Sequence, residues 1–313
     1  MNLLAPGMFE RLSTVPDAQE LLERAFRRGS KAVKAAGDDA AFVGTAGGVL
    51  ATALSSIVRR FPTFEKLPEF YYDLVDAVVG VDQLRISLSR VGWAAKQIRR
   101  ISREYMRSPR GAGERRSALG RMASVVKSID EDLAFLNEAS ARLREIPGID
   151  PSLPTIIIAG YPNVGKSSFL AMVTRARPEI ASYPFTTQGL IVGHITMKDK
   201  RYQILDTPGL LDRPLSERNE IERQAIAAMR HLRGVVLFLI DPTGHCGYPL
   251  DAQHRLLEEI KSWLELPVVV AYNKSDIPSD HPQDGIRIST LTGDGVQETL
   301  EICLSIMSAE SRL

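Results

Sequence analysis

Apolar residues recur at helical spacing through the first half of the chain and bunch into short unbroken runs in the second. Over 17–28, Leu21, Leu22, Ala25 and Phe26 make one side of a helix. Phe61-Pro62 and Pro68 mark a turn region, after which helices are expected over 70–81 and 84–105. In the second of these, Val91, Ala94, Ile98, Ile101 and Tyr105 form a core stripe. Residues 108–113, rich in glycine and proline, break the pattern. A last helix is expected over 115–146, with Leu119, Met122, Val126, Ile129, Leu133 and Leu136 on one side, and Pro147-Gly148 ends it. Residues 149–154 read as a linker. From there the period changes: 155–159, 201–205 and 267–272 are buried-strand runs, each followed by a polar loop. The pattern predicts an all-α helical bundle over 1–150. Over 154–313 it predicts an α/β domain, a mostly parallel sheet with flanking helices. A length of 313 residues also suggests two domains.

The loops carry the candidate chemistry. Gly160-Tyr161-Pro162-Asn163-Val164-Gly165-Lys166-Ser167 has the spacing G-x-x-x-x-G-K-[ST] between a strand and a helix, the context of a phosphate-binding loop. Its candidate contacts are Gly160, Asn163, Val164, Gly165, Lys166, Ser167 and Ser168. The glycines let backbone N–H groups close around phosphate oxygens, and the helix N-terminus adds positive potential. Lys166 is expected on the β- and γ-phosphates and Ser167 on Mg²⁺. Asn273-Lys274-Ser275-Asp276, at the end of the last strand run, suits guanine. A carboxylate at Asp276 can accept from the N1–H and the exocyclic amine, donors that adenine lacks at that edge. Asn273 can tie the loops together, and the Lys274 stem can pack on the base face. Asp206-Thr207-Pro208-Gly209 offers a carboxylate for Mg²⁺ and, at Gly209, an N–H for a γ-phosphate. In Tyr183-Pro184-Phe185-Thr186-Thr187 a threonine can supply a second Mg²⁺ ligand: Thr187 is chosen, with Thr186 the alternative. Ser289-Thr290-Leu291 is read as the last base-binding loop, presenting backbone N–H to the guanine carbonyl.

These five segments, in this order, resemble the translation-factor class of P-loop GTPases. The Tyr-Pro-Phe-Thr-Thr segment and the GYPNVGKS loop narrow the resemblance to the Obg-like group. The first half adds Phe61-Pro62, Phe70-Tyr71-Tyr72-Asp73-Leu74 and Ala118-Leu119-Gly120-Arg121-Met122. Leu211-Asp212-Arg213-Pro214-Leu215-Ser216-Glu217-Arg218-Asn219-Glu220-Ile221-Glu222 comes after the third motif. With Ile149-Asp150-Pro151 these resemble the Nog branch, the nucleolar GTP-binding protein family, in its shorter archaeal form. The resemblance spans about 10–300. It implies a GTPase with GTP/GDP and Mg²⁺ as cofactors. It also implies a role in assembling the large ribosomal subunit, with that subunit or its precursor and rRNA as partners. Many G proteins carry a glutamine after the Asp-x-x-Gly motif to orient water; here the position is Leu210, so slow intrinsic hydrolysis is expected. Asn163 resembles the asparagine that holds K⁺ in potassium-stimulated members; the alternative is that it only braces the loop. Arg213 and Arg218 read as a solvated face, with transition-state stabilisation the alternative.

Charge changes the picture of the first half. The chain carries +1 overall, but residues 90–127 hold eleven Lys or Arg against Glu104 and Glu114, a local +9 that leaves −8 elsewhere. Lys96, Arg99, Arg103, Arg107 and Arg110 recur at steps of three and four and can share a helix face, an electrostatic footprint for a phosphate backbone. Cys246 and Cys303 match no metal spacing, so no disulfide scaffold and a reducing cytoplasm are expected. The charge-free stretch 40–58 is long enough to tempt a transmembrane reading. Its Gly, Ala, Ser and Thr content favours a buried bundle helix and no membrane partner. The sequence thus points to a monomeric, GTP-gated RNA–protein assembly factor. The alternative is a regulatory G protein that acts on a protein effector without RNA contact.

Overall fold

The computed structural model describes residues 9–36, 39–107, 112–146, 148–174, 179–181, 189–279 and 285–310. It divides into two compact units: Phe9–Lys66 with Val79–Arg144, and Leu67–Val78 with Glu145–Leu313. The sequence suggests a single cut near 150. Instead, residues 67–78 fold with the second unit.

The first unit is helical. It contains α1 (Ala18–Ala36) and α2 (Asp39–Arg60); after α3 (Glu69–Val79) it resumes with α4 (Val81–Arg107), α5 (Ala112–Lys127) and α6 (Asp130–Leu143). Gly80, at φ +76°, separates α3 from α4. The α4 stripe is buried as expected, Val91, Ala94 and Ile98 completely. α2 packs on α1 and α4. Small residues let the backbones approach: a Cβ on Gly47 would lie 2.8 Å from that of Ser102 in α4. The segment Ala40–Lys66 has the length and composition to cross a membrane. Here Val43, Ala46, Leu50 and Leu54 of α2 are completely buried.

The single helix expected over 115–146 is two helices. Ile129, at φ −113° and ψ 15°, interrupts the run, and the Ser128 hydroxyl turns back to the Val125 carbonyl at 2.9 Å. Asp130, Glu131 and Asp132 then open α6, where negative charge suits the helix dipole. Asp130 Oδ1 also accepts from the Ala18 N–H at 2.9 Å, and Asp132 accepts from Ser87 at 2.9 Å. The apolar period runs through the break because both helices line one core: Met122, Val126, Leu133 and Leu136 are all completely buried. Leu119 is only half-buried.

The second unit is built on a sheet that, among the described residues, has seven strands. They are β1 (Thr155–Ala159), β2 (Glu179–Ala181), β3 (Leu190–Met197), β4 (Lys200–Asp206), β5 (Gly234–Ile240), β6 (Val268–Tyr272) and β7 (Ile286–Arg287). Their order is β2-β3-β4-β1-β5-β6-β7. The run from β4 to β7 is parallel, while β3 lies antiparallel to β4 and β2 antiparallel to β3. Its helices are α7 (Lys166–Val173), α8 (Glu220–Ala228), α9 (Leu250–Leu264) and α10 (Val296–Glu310). β1 and β5, flanked by strands on both sides, are buried along their whole lengths, so they read as unbroken apolar runs. The loops after β1, β4, β5 and β6 all leave at the C-terminal edge of the parallel strands, where open α/β sheets place their ligands. α3 joins this unit: the Tyr71 hydroxyl donates to the Ile149 carbonyl, and His231 lies 2.9 Å from Asp73 and 3.0 Å from Glu69.

Candidate nucleotide-binding site

The loop after β1 is shaped by residues that can take its backbone angles. Gly160 has φ +132°, Asn163 +62° and Gly165 +106°. A Cβ on Gly160 would lie 2.5 Å from the Leu239 carbonyl, and one on Gly165 would lie 2.1 Å from the Asn273 amide nitrogen. Only glycine fits either place. Gly165 begins α7, and Lys166 and Ser167 stand in its first turn. The Lys166 ammonium donates to the carbonyls of Gly160 (2.7 Å) and Tyr161 (2.9 Å). Burial lowers its pKa, and the negative charges of Asp206 and Asp212 counter that fall. It is a cation held among carbonyl dipoles, ready for an anion that the loop encloses.

Opposite stands Asp206, completely buried at the end of β4. One carboxylate oxygen accepts from the Ser167 hydroxyl at 2.5 Å; the other, Oδ1, is buried with no hydrogen-bond partner among the described residues. Burial raises the Asp206 pKa, while the Ser167 bond and Lys166 oppose the rise. An unmatched carboxylate oxygen beside a hydroxyl is a hard-oxygen donor set that fits Mg²⁺. Thr187, expected to complete it, and Thr186, its alternative, lie outside the described residues.

The base end is tied together by Asn273, 1% exposed. Its amide donates to the Val164 carbonyl at 2.7 Å and to the Thr290 hydroxyl at 2.9 Å. Its carbonyl accepts from the Thr290 N–H at 2.9 Å. One side chain thus joins three loops. Asp276 is exposed, with one oxygen fixed by the Ser289 hydroxyl at 2.5 Å. Lys274, at φ +63°, sends its ammonium to Asp241 at 2.5 Å. The structure gives Ser289 and Thr290 a use other than the one expected. Their N–H groups are engaged by Asp294 and Asn273, so they brace the loop. The Leu291 N–H is held only at 3.3 Å, by Ser289 Oγ.

Two residues here, Asp241 and Asp212, carry no role in the sequence pattern, and a third, Arg218, is placed otherwise than expected. Asp241 directly follows β5, the apolar run Gly234–Ile240 that signals a strand as plainly as 155–159 does. Burial would raise its pKa, but hydrogen bonds from Lys274 and Thr243 outweigh that and hold it low. Asp212 and Arg218 lie in the segment after Gly209. Arg218, expected on a solvated face, has a side chain 1% exposed and paired with Asp212 at 3.3 Å. Burial and the nearby Arg213 lower its pKa, and Asp212 and Glu222 oppose them. Arg213 is half-exposed and pairs with Glu222 at 3.4 Å. Leu210 is completely packed, 1% exposed, and has no group to orient water. The Asn163 side chain is exposed, and no hydrogen bond to it is found among the described residues.

In the helical unit, Lys96, Arg99, Arg103 and Arg107 are all exposed on α4; Arg110 lies outside the described residues. Arg99 donates to Ser55 of α2 at 2.8 Å. Trp93, half exposed at 50%, shares its side of α4 with Lys96, Arg100, Arg103 and Arg107 by helical spacing.

Residues 9–150 match the family model for the NOG1 N-terminal helical domain, and residues 220–276 match that for nucleolar GTP-binding protein 1. An uncharacterised protein of Methanocaldococcus jannaschii is 40% identical over 288 residues, covering 86% of this chain and 81% of that one. Nucleolar GTP-binding protein 1 of Arabidopsis thaliana is 41% identical over 232 residues, 72% of this chain and 35% of its own length. The chain belongs to the nucleolar GTP-binding protein 1 family. It spans between 35% and 45% of the length of seven curated relatives that carry that name. A solved structure described as nucleolar GTP-binding protein 1 of Plasmodium falciparum is 37% identical. It covers 53% of this chain and 92% of that one, with a TM-score of 0.48.

Proposed function

We propose that this family member binds GTP and GDP, hydrolyses GTP slowly, and uses the cycle to gate its binding to the large ribosomal subunit or its precursor. The single observation behind the nucleotide reading is Asn273. It joins the phosphate loop to both base-side loops, so a ligand with a phosphate at one end and a base at the other is the natural occupant. The Asp276 carboxylate beside it selects guanine. Mg²⁺, held by Ser167 and Asp206 with Thr187, would neutralise charge on the phosphates. Lys166 would exchange its loop carbonyls for phosphate oxygens. With Leu210 in place of a water-orienting glutamine, turnover would depend on a partner or on K⁺ at Asn163.

RNA contact is proposed for the exposed face of α4, where Lys96, Arg99, Arg103 and Arg107 meet phosphates and Trp93 offers a stacking surface. The protein would work as a monomer. The reducing cytoplasm is the proposed compartment, in keeping with two free, buried cysteines. Co-sedimentation with large subunits of the same organism tests the reading, using a non-hydrolysable GTP analogue, GDP or no nucleotide at two salt concentrations. Nucleotide-dependent, salt-sensitive binding is expected. Binding indifferent to both would refute it. Replacing Arg99, Arg103 and Arg107 together by Glu should abolish subunit and RNA binding and leave nucleotide affinity unchanged.

A further inference from the structure

The turn after β4 is closed on an anion of its own. The Gly209 N–H, the expected γ-phosphate contact, donates instead to Asp212 Oδ2 at 2.7 Å. The other oxygen of Asp212 accepts from Arg218 Nη2 at 3.3 Å, and Arg218 Nη1 donates to the Gly209 carbonyl at 3.0 Å. Gly209 is therefore gripped at both ends of its peptide units by one acid–base pair. The pair is secluded, with side chains 13% and 1% exposed, so its charges are poorly screened and strongly coupled. Arg218 is fixed from behind. Its N–H donates to the Leu215 carbonyl at 3.1 Å, and Asn219 and Glu222 form a capping box that starts α8 immediately after it. Lys166 also feels the negative charge of Asp212. The carboxylate thus bonds to one proposed γ-phosphate contact and lies within the field of another.

We propose that Asp212 is an internal stand-in for the γ-phosphate and sets the preference of the site between GDP and GTP. The idea rests on the nucleotide reading above. A single N–H cannot serve two anions, and a carboxylate facing a phosphate oxygen at hydrogen-bond range repels it. GDP has no γ-phosphate and enters without disturbing Asp212. GTP must expel the carboxylate from Gly209. Because Arg218 holds both Asp212 and the Gly209 carbonyl, that expulsion breaks the grip and frees the start of α8. The site is thereby biased towards GDP until something stabilises the expelled arrangement.

The test is equilibrium titration of the full chain with fluorescent GDP and a fluorescent non-hydrolysable GTP analogue, both with Mg²⁺. The wild type is compared with Asp212→Ala and Asp212→Asn. Asp212→Ala should tighten the analogue about tenfold, as removal of one competing charged hydrogen bond implies, and leave GDP within about twofold. Asp212→Asn keeps an acceptor for Arg218 and removes only the charge. It should move the analogue the same way by a smaller factor, and it decides the matter if the alanine variant folds poorly. Equal shifts for both nucleotides, no shift, or weaker analogue binding would overturn the proposal. A wild type that binds neither nucleotide would instead overturn the nucleotide reading on which it stands.

Discussion

The two ends of the candidate site are built on opposite principles. At the base end the loops are tied together without a ligand: Asn273 satisfies Val164 and Thr290, Ser289 holds one oxygen of Asp276, and Asp241 holds Lys274. At the phosphate end the groups are provisional. Lys166 rests on loop carbonyls, Asp206 keeps one oxygen unmatched, and Gly209 is bonded to Asp212. A preformed base end fixes which nucleotide enters at little ordering cost. An unfinished phosphate end allows the number of phosphates to decide the conformation.

That contrast can be broken by mutation, and the largest effect is expected at the phosphate end. Lys166→Ala should weaken GTP and GDP on the order of 1000-fold, since it removes charge-assisted bonds to two phosphates. Its apo melting temperature should barely move. A large loss of apo stability would show Lys166 to be a structural brace. Asp276→Asn should cost roughly 100-fold in guanine nucleotide affinity and gain xanthine nucleotide, whose carbonyl Asn can donate to. Unchanged GTP affinity would remove Asp276 from the base site. Asn273→Ala tests the preformed end directly. It orphans a buried carbonyl and should destabilise the nucleotide-free protein by about 2–3 kcal/mol in denaturant titration. Ser167→Ala also orphans a buried acceptor, the Asp206 carboxylate, and should cost the apo protein a comparable ~1–3 kcal/mol, as one lost partner of a buried group implies. It alone should also lose Mg²⁺-dependent nucleotide affinity; if Asn273→Ala loses it equally, the two ends are not built differently. The smallest effect is expected from exchanging K⁺ for Na⁺, which should slow turnover about tenfold if Asn163 holds the cation. Equal rates would leave Asn163 without that role.

Legibility in the sequence divides along the same line. Local patterns showed the β1 loop, the α4 stripe and the Asn-Lys-x-Asp tetrad, because each is a short stretch whose residues do their work side by side. The pairing of Asp212 with Arg218 was illegible: six residues apart, they match no helix or strand period, and a buried arginine looks like a surface one in a polar stretch. The break at Ser128-Ile129 was hidden because the apolar period continues across it. The bond from Tyr71 to the Ile149 carbonyl spans 78 positions, and no local signal could foretell it. Asp241 is different. The run before it was readable, and a polar residue at the C-terminal end of an apolar strand is a signal that could have found it.

The placement of α3 bears on anyone who wishes to isolate the sheet unit. Among the described residues the polypeptide passes from one unit to the other at 66–67, 78–79 and 144–145, so no single cut separates them. A fragment starting at 150 would leave behind Phe70, Tyr71, Leu74 and Val75, all buried here, together with the acidic partners of His231. Such a fragment should express poorly or aggregate. A version in which residues 67–78 are carried along, fused through a short linker to 145, should recover a soluble unit that still binds nucleotide.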